Sequence, residues 1–87
     1  MDQEKTGRFI ASMRIEAELT QTALADILGV SNRTISKWEC GNGLPDVSLW
    51  RLLCETLHIT ADELLRGERL TPDGTSPQKG IVERDSY

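Results

Sequence analysis

Apolar residues recur at helical spacing through the first two thirds of the chain. Five segments, "KTGRFIASMRIEAEL", "TQTALADILG", "VSNRTISKWECG", "VSLWRLLCETLH" and "ITADELLRG", place them three or four positions apart, as one buried helix face requires. The pattern predicts five short helices and no strand. The predicted core positions are Phe9, Ile10, Met13, Ala17, Leu24, Ile27, Leu28, Ile35, Trp38, Val47, Trp50, Leu53, Cys54 and Leu57.

Residues that favour helix ends separate these segments. Side chains suited to an N-cap precede the second, third and fourth helices, and these are Thr20, Ser31 and Asp46. The fifth helix begins with a capping box formed by Thr60 and Glu63. Glycines follow the second, third and fifth helices at positions 29, 41 and 67. Four apolar pairs have the spacing of hydrophobic staples: Leu19 with Leu24, Val30 with Ile35, Pro45 with Trp50, and Ile59 with Leu64. These pairs support the same boundaries.

The composition changes after Gly67. The remaining stretch, "ERLTPDGTSPQKGIVERDSY", is rich in Pro, Gly, Ser, Thr and charge, and Ile81 and Val82 are its only late apolar pair. Such a composition buries too little apolar surface to offset the entropy of ordering. We therefore predict a helical domain over residues 1–67 and a flexible tail or linker over residues 68–87.

Composition excludes several classes of protein. Two cysteines and one histidine cannot make a disulfide framework or a zinc site of the usual spacing, so two free thiols in a reducing, cytoplasmic compartment are expected. No apolar run is long enough to span a membrane. A phosphate-binding glycine loop, a nucleophile elbow and a cluster of metal ligands are all missing. The sequence therefore predicts no enzyme, no cofactor, no metal and no small-molecule ligand.

The net charge of −4 gives no basic excess of the kind that most nucleic-acid-binding domains carry. The distribution of this charge still allows one face that is locally favourable for nucleic-acid binding, and the third helical segment supplies such a face. On a helical wheel, four of its polar residues fall within about 140° of one another: Asn32, Arg33, Ser36 and Lys37. Ile35 and Trp38 lie on the opposite side. A short helix, a tight turn with Gly29 and a second helix with a polar outer face indicate a helix-turn-helix.

The stretch "LTQTALADILGVSNRTISKWECGNGLPD", followed by "ITADELL", resembles the lambda-repressor-like, Cro/repressor-type helix-turn-helix family, often called the XRE family. The resemblance covers residues 7–67. It implies an all-α fold of five helices, here with the flexible C-terminal tail, and a bacterial or phage-type cytoplasmic protein. The implied activity is sequence-specific binding of double-stranded DNA, usually as a dimer that represses transcription.

The resemblance also implies roles for individual residues. The positions that face base edges in the major groove are Asn32, Arg33, Ser36 and Lys37, and those that contact the DNA backbone are Gln21, Thr34 and Asn42. Gln21 is also expected to brace the recognition helix. Arg14 and Glu39 match a structural ion pair between the first and third helices.

The chain departs from the family at several positions. Ile15, Ala17 and Glu18 stand where the family often has Lys, Lys and Gly, and Cys40 stands where a polar or basic residue is commoner. His58 replaces the glycine expected after the fourth helix, where a left-handed backbone is needed. With the acidic balance, these changes weaken the expectation of tight DNA binding by a monomer.

Two questions stay open at this level. Leu49 and Leu52 form a candidate surface for a homodimer, with the tail pair Ile81 and Val82 as a second; alternatively, Leu49 packs against the fifth helix and Leu52 is merely half exposed. The chain could also be a protein-interaction module or an antitoxin-like subunit on the same fold. The acidic balance favours that alternative, and the intact polar face of the third helix opposes it.

Overall fold

The computed structural model describes residues 2–70, and within them the chain forms five helices and no strand. The helices are α1 (Gln3–Glu16), α2 (Gln21–Leu28), α3 (Asn32–Glu39), α4 (Val47–Leu57) and α5 (Ala61–Arg66). The predicted all-α, five-helix fold is confirmed.

The predicted helix ends are confirmed by their hydrogen bonds. The hydroxyl of Thr20 accepts from the backbone N–H of Ala23 at 3.0 Å, and the hydroxyl of Ser31 accepts from that of Thr34 at 3.2 Å. The carboxylate of Asp46 caps α4 in the same way, and both bonds of the predicted capping box are present at the start of α5. Left-handed glycines follow α2, α3 and α5 at positions 29, 41 and 67. Local chemistry therefore fixes where these helices begin and end.

Twelve buried apolar side chains form one core between the helices: Phe9, Ile10, Met13, Leu24, Ala25, Leu28, Ile35, Trp38, Leu53, Leu57, Ile59 and Leu64. Three predicted members, Ala17, Trp50 and Cys54, are only partly buried against this core. Two others are not part of it, because Ile27 is 44% exposed and Val47 is 72% exposed. Both lie at the edge of their helix's apolar stripe, where the docking of neighbouring helices decides which side chain is covered. Trp50 is half-buried, and its indole N–H donates to the carbonyl of Pro45 at 3.0 Å.

The helix α1 packs against both α3 and α5. At Gly7 a Cβ atom would lie 2.0 Å from the carbonyl oxygen of Trp38, so only glycine permits this approach to α3. The neighbouring Thr6 is fully buried, and its hydroxyl donates to the carbonyl of Leu64 in α5 at 3.1 Å. These two residues hold α1 against α3 and α5.

Two residues other than glycine adopt the left-handed backbone conformation. Glu18 has φ of 61° after α1, and His58 has φ of 58° after α4, as the sequence predicts for His58. Both stand at helix ends, where the chain must reverse direction within a few residues.

The first three residues of the predicted tail contact the helical domain. Lys5 pairs with Glu68 at 3.1 Å, Arg69 lies 3.1 Å from the sulfur of Met13, and the N–H of Leu70 donates to the carboxylate of Glu63 at 2.9 Å. The remainder of the tail, including Ile81 and Val82, lies outside the described residues. Within residues 2–70, no helix is both long and apolar enough to cross a membrane.

Candidate nucleic-acid interface

The turn between α2 and α3 is short and held by backbone hydrogen bonds. Gly29 is left-handed with φ of 75°, and the N–H of Val30 donates to the carbonyl of Ala25 at 3.0 Å. Ser31 then caps α3 at once. Because the turn is so short, α2 packs directly on α3, and α1 packs against α3 as well.

The two faces of α3 separate as its sequence predicts. Ile35 is fully buried and Trp38 is 4% exposed, so this side anchors the helix to the core. The opposite side carries the four predicted base-contacting residues: Asn32, Arg33 and Lys37 are exposed, and Ser36 is half-buried. These four side chains therefore share one accessible surface.

This surface is positively charged although the chain is acidic. The only carboxylate of α3 belongs to Glu39, whose side chain is 8% exposed and paired with Arg14. Among the ion pairs between residues 2 and 70, none involves Arg33 or Lys37. Both cations are thus available to a ligand, and no carboxylate of α3 opposes them.

A hydrogen-bond network joins α1, α2 and α3 behind this surface. The guanidinium of Arg14 contacts both carboxylate oxygens of Glu39, at 2.7 and 3.2 Å, and also donates to the carbonyl of Leu19 at 2.8 Å. The side-chain amide of Gln21 donates to the same carboxylate at 2.9 Å. Arg14 and Glu39 therefore form the ion pair that the resemblance implies, and Gln21 links the start of α2 to the end of α3.

The two other residues that are predicted to contact the DNA backbone, Thr34 and Asn42, lie near the two ends of α3. The hydroxyl of Thr34 lies 3.0 Å from that of Ser31, so it belongs to the cap at the N-terminus. Asn42 is exposed just beyond the C-terminus, and its backbone N–H donates to the carbonyl of Lys37 at 2.9 Å. The thiol of Cys40 is exposed next to it.

The two leucines considered for a dimer surface differ in their environment. Leu49 packs against the core, whereas Leu52 is 40% exposed.

The structure contains an apolar groove between α4 and the start of α5 that the sequence does not predict. Three of its lining residues, Val47, Trp50 and Cys54, are predicted core positions, because they have the spacing of one buried stripe. Within residues 2–70, no group of three His, Cys, Asp or Glu side chains is placed to hold a metal ion.

Comparison with known proteins agrees with this geometry. A family model described as helix-turn-helix matches residues 10–64. The HTH-type transcriptional activator BcrR of Enterococcus faecalis is 41% identical over 61 residues, which are 70% of this chain and 30% of that protein. The HTH-type transcriptional regulator YazB of Bacillus subtilis (strain 168) is 35% identical over 69 residues, which are 79% of this chain and all of that protein.

A solved structure gives the same result. The P22 c2 repressor, in complex with a synthetic operator, is 33% identical with a TM-score of 0.68, over 72% of this chain and 96% of that one. The present chain spans only 30% of the length of the Enterococcus activator. The matched residues include the whole of α2, the turn and α3. The chain belongs to the lambda-repressor-like, XRE-type helix-turn-helix family.

Proposed function

We propose that the protein is a transcriptional regulator that binds double-stranded DNA sequence-specifically and reads the major groove with α3. The observation that carries the proposal is the outer face of α3, where Arg33 and Lys37 are exposed and without an ion-pair partner among residues 2–70, while Glu39 is turned inward. Similar proteins include one described as an activator and one as a repressor, the latter with its operator. Binding to an operator can lead to activation or to repression of transcription, and repression is the outcome that the sequence resemblance implies.

The exposed residues of α3 suit the reading of base edges. An Asn side chain pairs bidentately with adenine and an Arg side chain with guanine, and each pair contributes about 1–3 kcal/mol of discrimination. Asn32 and Arg33 stand in the first turn of α3, the part of a recognition helix that contacts bases. Ser36 and Lys37, one turn further on, extend the same surface.

Phosphate contacts would fix the position of α3 on the duplex. The N-termini of α2 and α3 present unpaired backbone N–H groups and a partial positive charge. Gln21 is the first residue of α2, Thr34 lies in the first turn of α3, and Asn42 is exposed just beyond its end. Such contacts supply affinity and orientation, and the base contacts supply sequence preference.

The acidic balance favours a dimer as the binding form. A chain with a net charge of −4 gains little from non-specific attraction to phosphate, so one half-site gives few favourable contacts. Two copies on half-sites one helical turn apart, about 34 Å, double the specific contacts. A regulator of this kind must be in the compartment that contains the DNA, so we place this bacterial or phage-type protein in the cytoplasm.

Selection from a random double-stranded DNA library at two salt concentrations tests the proposal. We expect a palindrome whose half-sites are about 10 base pairs apart. Arg33→Ala should relax the preference at one base pair of each half-site, and Gln21→Ala should weaken binding evenly across sequences. Arg66→Ala, which removes an exposed cation on α5, is the matched control and should leave binding unchanged.

The same experiment decides between this proposal and a protein-interaction role. Equal, sequence-independent losses for Arg33→Ala and Gln21→Ala would refute the assignment of Arg33. Recovery of no motif even at low salt, where phosphate attraction is strongest, would instead favour a protein-binding or antitoxin-like module on this fold.

A further inference from the structure

The three residues Glu68–Leu70, which we call the strap, lie against α1 after the end of α5. Lys5 pairs with Glu68 at 3.1 Å, and Arg69 lies 3.1 Å from the sulfur of Met13. Lys5 and Met13 are eight positions apart, which is about two turns of an α-helix. The strap therefore contacts α1 near both of its ends.

The carboxylate of Glu63 anchors the last residue of the strap. Glu63 is buried, and one of its carboxylate oxygens accepts from the N–H of Leu70 at 2.9 Å while the other accepts from the N–H of Thr60 at 2.9 Å. The bond to Thr60 belongs to the capping box of α5, whereas the bond to Leu70 joins residues seven positions apart. A carboxamide in this place would offer its oxygen to only one of the two donors and an NH₂ group to the other.

The helix α3 contacts the same stretch of α1 as the strap does. A Cβ atom at Gly7 would lie 2.0 Å from a carbonyl oxygen of α3, and Arg14 pairs with Glu39 at 2.7 Å. The strap contacts Lys5 and Met13, which precede these two positions of α1 by two residues and one residue. Successive residues of an α-helix point about 100° apart, so the two sets of contacts lie on different faces of α1. The strap and α3 therefore hold one helix from two sides.

We propose that the strap is a conformational coupling device that links the chain after residue 70 to α3 through α1. Displacement of the strap removes contacts near both ends of α1 and loosens the helix on which α3 rests. A binding event on the chain after residue 70 can thereby change how firmly α3 is held without touching α3, and the reverse effect has the same free energy. The inference goes beyond the proposed function, since it concerns how α3 is held and not what α3 binds.

Amide hydrogen exchange, followed by NMR on the full chain, tests whether Glu63 holds the strap. The N–H of Leu70 should be protected in the native chain, and Glu63→Gln should speed its exchange by at least about tenfold, because a hydrogen bond to a charged group is lost. The N–H of Gly67 donates to the backbone carbonyl of Glu63 at 2.8 Å, so its exchange should change little. Glu55→Gln, which alters an exposed ion pair within α4, is the matched control and should leave both amides unchanged.

A double-mutant cycle in urea titrations tests the coupling between the strap and α3. Because Glu63→Gln and Glu39→Gln both loosen α1, Glu63→Gln should change the unfolding equilibrium constant at least about threefold less in the Glu39→Gln background than in the native chain. The cycle of Glu63→Gln with Glu55→Gln should be additive within about twofold.

The same NMR samples give a second measure of the coupling that needs no Glu39 variant. The Nε–H of Arg14 donates to Glu39 at 2.7 Å, and its exchange reports on the contact between α1 and α3. This exchange should be at least about threefold faster in Glu63→Gln than in the native chain, and unchanged in Glu55→Gln.

Two results would overturn the proposal. The strap would be refuted if the N–H of Leu70 exchanged as fast as in an unprotected chain, or if Glu63→Gln left it protected. The coupling would be refuted by an additive cycle or, where Glu39→Gln does not fold, by an unchanged Nε–H of Arg14. None of these measurements involves DNA. A coupled strap in a chain that selects no DNA motif would therefore count against the proposed function alone, and an uncoupled strap in a chain that binds an operator would count against the coupling alone.

Discussion

The substitution Glu39→Ala tests the network behind the recognition helix. The side chains of Glu39 and Arg14 are 8% and 15% exposed, and the guanidinium contacts both carboxylate oxygens. Removing one partner of a buried pair leaves the other charge uncompensated, which costs roughly 3–5 kcal/mol. Arg14 keeps its bond to the carbonyl of Leu19, so we expect the lower end, about 3 kcal/mol. For a domain of this size each kcal/mol lowers Tm by about 4–8 °C, which predicts a fall of about 12–24 °C.

The chain contains its own control for this experiment. Arg51 and Glu55 form an ion pair at 3.3 Å with side chains that are 91% and 61% exposed. Such a surface pair contributes about 0–1 kcal/mol, so Glu55→Ala should lower Tm by only a few degrees. Thermal melts followed by circular dichroism at 222 nm compare the two variants. A Glu39→Ala protein that melts within about 4 °C of the native chain, a loss of less than about 1 kcal/mol, would refute the reasoning.

Two further predictions concern α1 and α5. Gly7→Ala should lower the free energy of unfolding by about 3 kcal/mol, because its Cβ would meet a backbone oxygen at 2.0 Å; Gly43→Ala, whose nearest contact is 3.9 Å away, should be nearly neutral in the same urea titration. The pKa of Glu63 is lowered from 4.5 chiefly because the N–H of Leu70 donates to its carboxylate. Its contribution to stability is therefore present above about pH 4.5 and lost as pH falls through the lowered pKa. The stability difference between the native chain and Glu63→Gln should shrink from pH 7 to pH 3, and a constant difference would contradict this assignment.

Helix ends could be predicted from the sequence because each cap depends on residues within one turn. Thr20, Ser31 and Asp46 each bond a backbone N–H two or three positions ahead, whatever the rest of the fold does. The left-handed backbone at His58 is equally local. Such features depend on the order of residues along the chain and on little else.

The burial of residues at the edge of a stripe could not be predicted in this way. Ile27 and Val47 have apolar side chains at helical spacing with buried neighbours, yet both are largely exposed. Whether such a position is covered depends on how neighbouring helices cross, and that angle is set by contacts distant in sequence. The contact between Gly7 and Trp38 is of this kind, and so is the bond from Leu70 to Glu63.

The candidate site also has a part that the sequence predicts and a part that it does not. The wheel of α3 was enough to predict that Asn32, Arg33 and Lys37 share an exposed face, because eight residues with a buried Ile35 and Trp38 leave one orientation. The groove could not be predicted, because Val47, Trp50 and Cys54 have the sequence spacing of buried core residues. Only the packing of α4 on α5 shows that they line an open surface.

The ion pair between Arg14 and Glu39 raises a further question, namely what a buried pair of charges contributes to this protein. Replacing both partners of such a pair by apolar residues is often neutral or stabilising by about 1–4 kcal/mol, so stability alone does not require Arg14 and Glu39. Glu39 makes one further contact, because its carboxylate accepts a hydrogen bond from the side-chain amide of Gln21 at 2.9 Å. We therefore expect Arg14→Met combined with Glu39→Leu to keep a Tm near that of the native chain.

Under the proposed function, this double variant should nevertheless bind operator DNA about tenfold more weakly, because the hydrogen bond that orients Gln21 toward phosphate is lost. Gln21→Ala in the native background should show the same loss, and adding it to the double variant should cause no further loss. Affinities from fluorescence anisotropy, with Tm measured on the same samples, separate orientation from stability. If the double variant bound the operator as tightly as the native chain, the network would serve the fold alone and Gln21 would need no support from Glu39.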